Sequence, residues 1–427
     1  MRNIKEKRGI TLIALAVTIV VILILAGVTI DVTLGDNGII NKSKEAADRM
    51  NNLVKEDEAE LNELLNELNE TMDSNWNSNI EIPEENTIPE PDPGPPKLDD
   101  TTGMQDETVT VEDEYGNKVT IPKGFEIVEE EGTTVPEGIV IQDVNGNQFV
   151  WIPVGRIYKD NTGTNYSDIQ LGRYTFSTTD GTATPVQLAY TDENSDNYTQ
   201  LIGILDDYGY DCFEYATREN PDGIASGGPD GLNAIAKNLA AFVDSVRNNG
   251  GYYLARYEAS YGSGSSVADY KPLSKVSTST TFSKSKVGSL WNSVTQIDAA
   301  KISRNMYNND SSVGVESDLV NSYAWDTAIV FIQEMGNKNY ANKASVNSSR
   351  KNTGTTGDEV CNIHDMASNC IEWSTEYSTG TDSNRAYPCV GRGCSFLNDI
   401  DYTAYRDESI ATSRSNSTSF RILLYVK

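Results

Sequence analysis

The residue types that carry most metal and nucleophile chemistry are scarce in this sequence of 427 residues. It has a single histidine, His364, which excludes a zinc site built from two or three histidines of one chain. Five cysteines show no CxxC spacing, and their odd number leaves at least one thiol unpaired. A Cys361–Cys370 or Cys389–Cys394 disulfide could form in an oxidising compartment, but the spacing requires neither. Acidic side chains are abundant instead, and their carboxylates could hold calcium.

The charge balance bears on the class of partner. The sequence has 63 acidic and 34 basic residues, which gives a formal net charge of −29. A phosphate backbone attracts clustered Lys and Arg, so this balance argues against nucleic acid as the natural partner. The length is sufficient for two or three domains with a substantial core.

The first thirty residues predict a membrane helix. Residues 10–30 form a run of 21 residues without a charge, and a helix of that length spans roughly the ~30 Å hydrocarbon core. Four basic residues and one acidic residue precede the run, so the positive-inside bias predicts a cytoplasmic N-terminus and an extracellular remainder. A cleaved secretory signal is the alternative, although its apolar core is usually only about 7–15 residues long. We therefore predict a single-pass cell-membrane protein with a stub and helix at 1–31.

The string KRGITLI at residues 7–13 resembles the start of a type IV pilin or pseudopilin. In that family a prepilin peptidase cuts after the glycine, which implies processing between Gly9 and Ile10 and pilin-like subunits as partners. The family's fifth mature residue is usually Glu, which offsets a neighbour's N-terminal amine during assembly, whereas this chain has Ala14. Both a filament subunit and a lone anchor are therefore open.

Changes in composition divide the next part of the chain. Apolar residues at three- and four-residue steps predict a helical stalk at 32–73. Residues 74–107 are rich in Asn, Glu, Pro and Asp, which predicts a disordered linker. Gly-Asn turns at 113–117 and 143–147 each precede a strand pattern and predict two hairpins, the first within a segment at 108–134.

Few long elements are predicted in the C-terminal two thirds. An apolar stripe that begins after Asp230 and ends at Gly250-Gly251 predicts a helix, and Tyr252–Tyr257 predicts a strand. A second helix is predicted around Asp318–Met335, and long stretches rich in Ser, Asn, Thr and Gly separate the remaining apolar pieces. These patterns predict an α+β domain with little regular structure at 135–427.

Four short strings in this region follow one another up to the C-terminus. They are GGYYLARYEA at 250–259, NIHDMASNCIEW at 362–373, GRGCS at 391–395 and SFR at 419–421. Together and in this order they are similar to the formylglycine-generating-enzyme-like, or sulfatase-modifying-factor, family. Because domains of that family have a variant of the C-type lectin fold, the resemblance implies a C-type-lectin-like head over 135–427.

The resemblance implies a calcium site in the second string. Carried over residue by residue, the ligands are the carboxylates of Asp365 and Glu372 and the backbone carbonyls of Ser368 and Cys370. Calcium takes about six to eight oxygen ligands, and two carboxylates on a tight loop supply part of the charge. A hydrogen-bonded loop with a buried Glu372–Trp373 anchor is the alternative.

The same resemblance argues against the oxidase activity of the family. Catalytic members bind copper through two cysteines shortly after the third string, but the corresponding stretch here, 401–407, has no cysteine. Copper(I) requires thiolates, so we predict that the chain is not an enzyme of this kind. His364 lies where the family has an aromatic core residue, and we interpret it as structural rather than as the partner of a nucleophile.

In lectin-fold relatives the loops between the third string and the last strand form an outward face, which corresponds to residues 396–419. Tyr, Asn, Ser and Arg in this span suit recognition, because they combine rigid aromatic area with adaptable hydrogen bonding. The candidate ligand-binding residues are Tyr402, Tyr405, Arg406, Asp407, Arg414 and Asn416.

We therefore predict a surface-displayed, membrane-anchored binding or adhesion protein without enzymatic activity. Its lectin-fold head would recognise an extracellular protein or glycan. A minor pilin or pseudopilin of a surface filament or secretion system is one alternative. A copper-independent enzyme on the same fold is the other.

Overall fold

The computed structural model describes residues 95–191, 196–216, 233–383, 385–397 and 401–427. All of these belong to one compact unit, Pro91–Lys427. The processing site at Gly9 and Ile10, the apolar segment, the stalk and most of the linker lie outside the described residues.

The described part of the chain consists mainly of strands. In chain order they are Val109–Glu112 (β1), Lys118–Ile121 (β2), Phe125–Ile127 (β3), Val140–Asp143 (β4), Gln148–Pro153 (β5), Gly155–Tyr158 (β6), Tyr166–Ile169 (β7), Gly172–Phe176 (β8), Ala183–Leu188 (β9), Ile204–Leu205 (β10), Asp211–Glu214 (β11), Gly251–Ala255 (β12), Ser260–Ser263 (β13), Lys271–Leu273 (β14), Val315–Leu319 (β15), Glu359–Val360 (β16), Ile363–His364 (β17), Ile371–Ser378 (β18), Cys389–Arg392 (β19), Arg406–Ser409 (β20), Thr418–Phe420 (β21) and Ile422–Val426 (β22). The α-helices described are Leu239–Asn249 (α1), Gln296–Asn305 (α2) and Ser322–Glu334 (α3).

The prediction of an α+β head with little regular structure is wrong, because most of the ordered backbone in the described residues is strand. Many of these strands are short and buried on both faces, so they lack the alternation of apolar and polar residues that marks a half-exposed strand. The strand β18 reads IEWSTEYS, and seven of its eight residues are buried. Its polar side chains form hydrogen bonds in the interior, which a hydropathy pattern does not reveal.

Among the described residues no helix is both long enough and apolar enough to cross a membrane. The longest α-helix described, α3, has 13 residues, whereas a spanning helix needs about 20. This finding contradicts the prediction of a single-pass cell-membrane protein with a transmembrane helix and a helical stalk before the head. We withdraw that localisation; residues 10–30, on which it was based, lie outside the described residues.

The helix predicted after Asp230 begins later than expected. Its N-cap is Asn238, whose Oδ1 accepts a hydrogen bond from the backbone N–H of Ala241 at 3.0 Å. Gly250 ends the helix in the left-handed conformation, with φ at +77°, as the Gly-Gly pair predicted. Asp230 itself lies outside the described residues.

The helix predicted around Asp318–Met335 also begins later. Asp318 belongs to β15, and Asn321 caps α3 by accepting from the backbone N–H of Ala324 at 2.9 Å. Nearly every residue of α3 is buried, since the helix contacts β5 of one sheet and β18 of another.

Two six-stranded sheets form the centre of the described unit. The first has the strand order β15-β22-β12-β5-β4-β3 with antiparallel neighbours. The second has the order β10-β11-β18-β19-β20, and β21 pairs parallel with β18. The edge strand β20 carries part of the predicted recognition loop, and the β10–β11 hairpin belongs to the same sheet.

Three hairpin turns share one backbone form. They are Asp113–Asn117 between β1 and β2, Asp143–Asn147 between β4 and β5, and Asp206–Tyr210 between β10 and β11. In each, the first residue donates its N–H to the carbonyl of the fifth, and the glycine at the fourth position donates to the carbonyl of the first. The first two turns and their hairpins match the Gly-Asn prediction. The third, which ends in Gly-Tyr, was not predicted.

Candidate functional site

A buried cluster of five charged side chains lies behind residues 401–409. Its members are Arg173, Arg392, Arg406, Asp326 and Glu376. Arg392 contacts Asp326 at 2.6 Å and Glu376 at 2.9 Å. Arg406 contacts the same two carboxylates at 2.8 and 3.0 Å. Arg173 adds a contact to Glu376 at 3.3 Å.

This cluster assigns Arg406 to the fold rather than to the surface. Burial by itself would raise the pKa of Glu376, but Arg406, Arg392 and Arg173 outweigh it and lower that pKa to about 2. Arg406 is only 5% exposed, and its guanidinium is paired with Asp326 and Glu376. Arg406 also belongs to the lining of a small pocket beside Asp206, so its role as a ligand contact stays a prediction.

Arg414 and Asn416, which were also predicted to bind a ligand, contact other parts of the chain than Tyr402 does. Arg414 pairs with Asp298 of α2 at 2.7 Å, and the carbonyl of Asn416 accepts from Arg350. Neither contact involves the loop that carries Tyr402.

Tyr402, Tyr405 and Asp407 share one side of the molecule with the β10–β11 turn. The hydroxyl of Tyr402 donates to Asp207 Oδ1 at 2.7 Å, and the rings of Tyr402 and Tyr405 meet edge to face at 5.5 Å. Tyr405 in turn contacts the phenol of Tyr208. Sequence reasoning missed the turn as a partner. The signal that could have found it is its Asp-Asp-Tyr-Gly-Tyr string, in which two acids and two aromatic rings flank a turn glycine.

We call residues 204–210 together with residues 401–409 the acidic face, because it carries five carboxyl groups. They belong to Asp206, Asp207, Asp401, Asp407 and Glu408. Burial, followed by repulsion from neighbouring carboxylates, raises the pKa of Asp401 and of Asp407 to about 6. The same two causes raise the pKa of Glu408 to about 7.

Two carboxylate oxygens of the acidic face lack a hydrogen-bond donor. Asp206 Oδ2 and Glu408 Oε2 are both buried, and no donor from the described residues reaches either atom. The two side chains lie against each other, so a hydrogen bond forms between them only when Glu408 carries a proton. A buried polar atom without a partner costs about 1–3 kcal/mol. Asp206 is only 7% exposed, so this cost applies to a group that solvent hardly reaches.

A small pocket of about 110 Å³ opens beside Asp206, and its lining includes Asp207, Leu205, Tyr402 and the guanidinium-bearing Arg406, which is paired with Asp326 and Glu376. Leu205 and Tyr208 are 64% and 63% exposed, although both carry large apolar groups. The acidic face thus combines a charged pocket with uncovered apolar area, as interaction surfaces do.

The predicted calcium ligand Asp365 is held by donors of one loop. Its carboxylate accepts from Thr353 Oγ1 at 2.7 Å, from the backbone N–H of Gly354 at 2.7 Å and from Thr356 Oγ1 at 2.5 Å. Ser368, which stands where the family has glycine, keeps a negative φ, and Asn369 takes the left-handed conformation instead, with φ at +70°.

The predicted ligand Glu372 is held by a cation of the chain. Both of its carboxylate oxygens accept from Arg421, at 2.8 and 2.5 Å. The backbone N–H of Cys370 donates to Glu258. Among the described residues no group of three or more His, Cys, Asp or Glu is arranged to hold a metal ion. As arranged, the residues do not fit calcium, and calcium binding stays a prediction of the resemblance.

His364 packs as a core ring. It stacks on Tyr257 with the ring centroids 4.8 Å apart and the planes 11° from parallel, and burial lowers its pKa to about 4. Its Nε2 lies 3.2 Å from Glu359. A largely neutral, stacked imidazole fits the structural interpretation of this residue.

No disulfide joins Cys361 to Cys370 or Cys389 to Cys394, so neither of the two pairs that the sequence left open is formed. Burial raises the pKa of Cys212 and of Cys361 to about 12. It also raises the pKa of the Cys370 and Cys394 thiols far above the usual range. Because the thiolate is the reactive form, these thiols are poor nucleophiles.

No protein-family model matches the chain, and no curated protein is significantly similar to it. Among solved structures, Treponema denticola variable protein 1 matches over 66% of this chain and 97% of that chain, with 12% sequence identity and a TM-score of 0.25. A TM-score of this size does not establish a shared fold. The resemblances to pilins and to formylglycine-generating-enzyme-like domains therefore stay predictions.

Proposed function

We propose that this protein is a non-enzymatic binding protein that recognises a protein or glycan ligand through the acidic face. The observation that supports this most is the exposure of Leu205 and Tyr208 next to the pocket lined by Tyr402. Aromatic and apolar area at the centre of a polar surface supplies most of the binding energy in protein interfaces.

The backbone beneath the acidic face is held in place by buried side chains. Trp325 Nε1 donates to the carbonyl of Thr403 at 3.1 Å, and Arg392 Nε donates to the carbonyl of Tyr405 at 3.1 Å. A loop fixed in this way loses little conformational entropy when a ligand binds, which favours affinity.

The chemistry of the described residues supports a binding role over a catalytic one. Burial raises the pKa of the thiols of Cys212, Cys361, Cys370 and Cys394, and the only histidine of the chain is stacked in the core. The stretch 401–407, where the resembling family has its copper-binding cysteines, instead carries the aromatic and acidic residues of the face.

The test compares face variants with matched variants elsewhere on arrays of immobilised glycans and peptides. The double variant Leu205→Ser/Tyr208→Ser removes the exposed apolar area of the face. The control Val144→Ser/Val287→Ser removes two valines that are 82% and 63% exposed, one of them in the turn of the same form between β4 and β5. We expect the first to weaken every specific interaction at least about tenfold and the second to leave it unchanged. Equal binding by both would contradict the proposal.

A further inference from the structure

The first two hairpin turns satisfy every oxygen of their leading aspartate. In the β1–β2 turn, Asn117 Nδ2 donates to Asp113 Oδ2 at 3.0 Å. In the β4–β5 turn, Asn147 Nδ2 donates to Asp143 Oδ2 at 2.8 Å. In both, the other oxygen accepts from two backbone N–H groups of the turn. An asparagine at the fifth position therefore completes the turn.

The third turn has tyrosine where the others have asparagine. Asp206 Oδ1 accepts from the N–H groups of Tyr208 and Tyr210, at 3.0 and 2.8 Å, as in the other two turns. The Tyr210 hydroxyl, however, donates away from the turn, to the carbonyl of Thr381 at 3.1 Å. One side-chain change at the fifth position thus leaves Asp206 Oδ2 without a donor in the described part of the chain.

The charges around this oxygen leave a surplus of negative charge. Asp206 lies with four further carboxyl groups, and the guanidiniums behind them are committed to Asp326 and Glu376. The buried cluster has three guanidiniums and two carboxylates, so one positive charge faces five carboxyl groups. The other titratable or charged neighbours are Tyr208, Tyr210, Tyr402, Tyr405, Cys212 and Arg406.

We propose that the pocket of the acidic face binds a cationic side chain, Lys or Arg, of a protein ligand, with Asp206 and Asp207 as its counter-ions. This inference rests on the proposed function and names the ligand class for the same face. The pocket, at about 110 Å³, is below the roughly 300–1,000 Å³ of small-molecule sites, so it suits one side chain of a larger ligand. Leu205 and Tyr208 at its edge then pack on apolar residues that flank the cation.

An organic cation fits this pocket better than a metal ion. In the part of the chain that the structure describes, no cluster of His, Cys, Asp and Glu is arranged as a set of metal ligands. An ammonium or guanidinium group needs only a few acceptors and tolerates two carboxylates at its side.

Binding of the cation is coupled to the loss of a proton. Glu408 lies against Asp206, and its pKa is raised to about 7, so part of the population carries a proton there at neutral pH. A positive charge beside Asp206 favours the ionised form of Glu408. Affinity for the cation therefore rises between about pH 5 and about pH 8, and Glu408→Gln flattens this rise.

The test uses the full chain and a labelled synthetic peptide of alternating lysine and leucine, titrated by fluorescence anisotropy. The same peptide with acetylated lysines, calcium chloride alone and neutral oligosaccharides are the comparison probes. Asp206→Asn/Asp207→Asn is paired with Glu107→Gln/Glu114→Gln, which removes two charges from exposed positions outside the face. We expect the first pair to weaken peptide binding at least about tenfold and the second by less than about twofold. Acetylation should abolish binding.

Thermal unfolding of each variant separates lost binding from lost folding. Equal weakening by the two pairs would show general charge attraction and overturn the inference, as would equal binding of the acetylated peptide. Oligosaccharide binding that is lost in Leu205→Ser/Tyr208→Ser but kept in Asp206→Asn/Asp207→Asn would overturn the cation inference and leave the proposed function standing. If no variant of the face alters binding of any probe that the chain retains, both fail.

Discussion

The turns Asp143–Asn147 and Asp206–Tyr210 have the same backbone hydrogen bonds and the same buried leading aspartate, but they differ in what surrounds its second oxygen. Asp143 Oδ2 accepts from Asn147 and from the hydroxyl of Tyr307, at 2.8 and 2.7 Å. Asp206 Oδ2 has no donor among the described residues. A carboxylate whose oxygens all accept hydrogen bonds from the protein contributes to the stability of the fold. A carboxylate with an unsatisfied buried oxygen can still accept a hydrogen bond from a ligand or bind a proton.

The strand β20 shows the same contrast within two residues. Arg406 is bound to Asp326 and Glu376, while Glu408, on the same face of the strand, has a buried oxygen without a donor. Arg406 supports the face through buried ion pairs, whereas Glu408 is a group that we propose to be coupled to ligand binding.

The largest effect is expected from Arg406→Met. Because this change leaves Asp326 and Glu376 short of a buried counter-ion, we expect the free energy of unfolding to fall by about 3–5 kcal/mol in urea denaturation. Glu408→Gln on the same strand is the control and should change it by less than about 1 kcal/mol at about pH 4.5, where Glu408 carries its proton in the folded state. A stable Arg406→Met variant that loses only ligand binding would show that Arg406 contributes to recognition rather than to stability.

A smaller loss is expected when the satisfied turn is made to resemble the unsatisfied one. Asn147→Ala removes the donor to Asp143 and the acceptor for the backbone N–H of Ser274, so we expect a loss of about 1–3 kcal/mol. Tyr210→Phe, at the equivalent position, should cost no more than about 0.5 kcal/mol, since its hydroxyl bond is exposed. Similar losses in both variants would mean that the fifth position plays the same part in the two turns.

Local patterns in the sequence predict the hairpins at the Gly-Asn turns and both long helices, because caps, glycines and periodicity act over a few residues. The interior strand β18 and the role of Arg406 could not be predicted in this way. Arg406 depends on Asp326, which is 80 residues away in the chain, and that pairing is set by the sheet rather than by spacing. Of the acidic face, only residues in the stretch 401–409 were predicted from the sequence. Tyr402 was identified, but its partner Asp207 is 195 residues away.

Restoring asparagine to the third turn should move it toward the other two. In Tyr210→Asn the amide can donate to Asp206 Oδ2, so we expect a gain of about 1 kcal/mol in stability and weaker binding of the lysine peptide. Tyr210→Ala supplies no donor and is the control for loss of the ring. If both variants bind the peptide equally, the free oxygen of Asp206 is not what the cation recognises.

The pH dependence of stability distinguishes the two kinds of carboxylate. The folded-state pKa of Glu408 is raised to about 7 from a usual 4.5, so its contribution to stability is fully present below about pH 4.5 and is lost as the pH rises through about 7. The melting temperature of the wild type minus that of Glu408→Gln should therefore fall across this range. His364 and the other titrating groups that do not interact with Glu408 occur in both proteins and cancel in the difference. A difference that does not vary with pH would show that Glu408 is ionised as freely in the fold as outside it.

The smallest effect is expected for calcium, at the site that the resemblance to formylglycine-generating-enzyme-like domains implies. An ion that binds only the folded state stabilises it, and the melting temperature rises with the logarithm of the ratio of the ion concentration to its Kd. Because Arg421 already occupies both oxygens of Glu372, and Asp365 accepts from three donors, we expect no difference between calcium chloride and a chelator. Magnesium chloride at equal ionic strength is the control for screening. A calcium-specific rise in melting temperature would mean that the ion displaces Arg421. It would then indicate that the chain binds cations at the loop that resembles the family's site rather than at the acidic face.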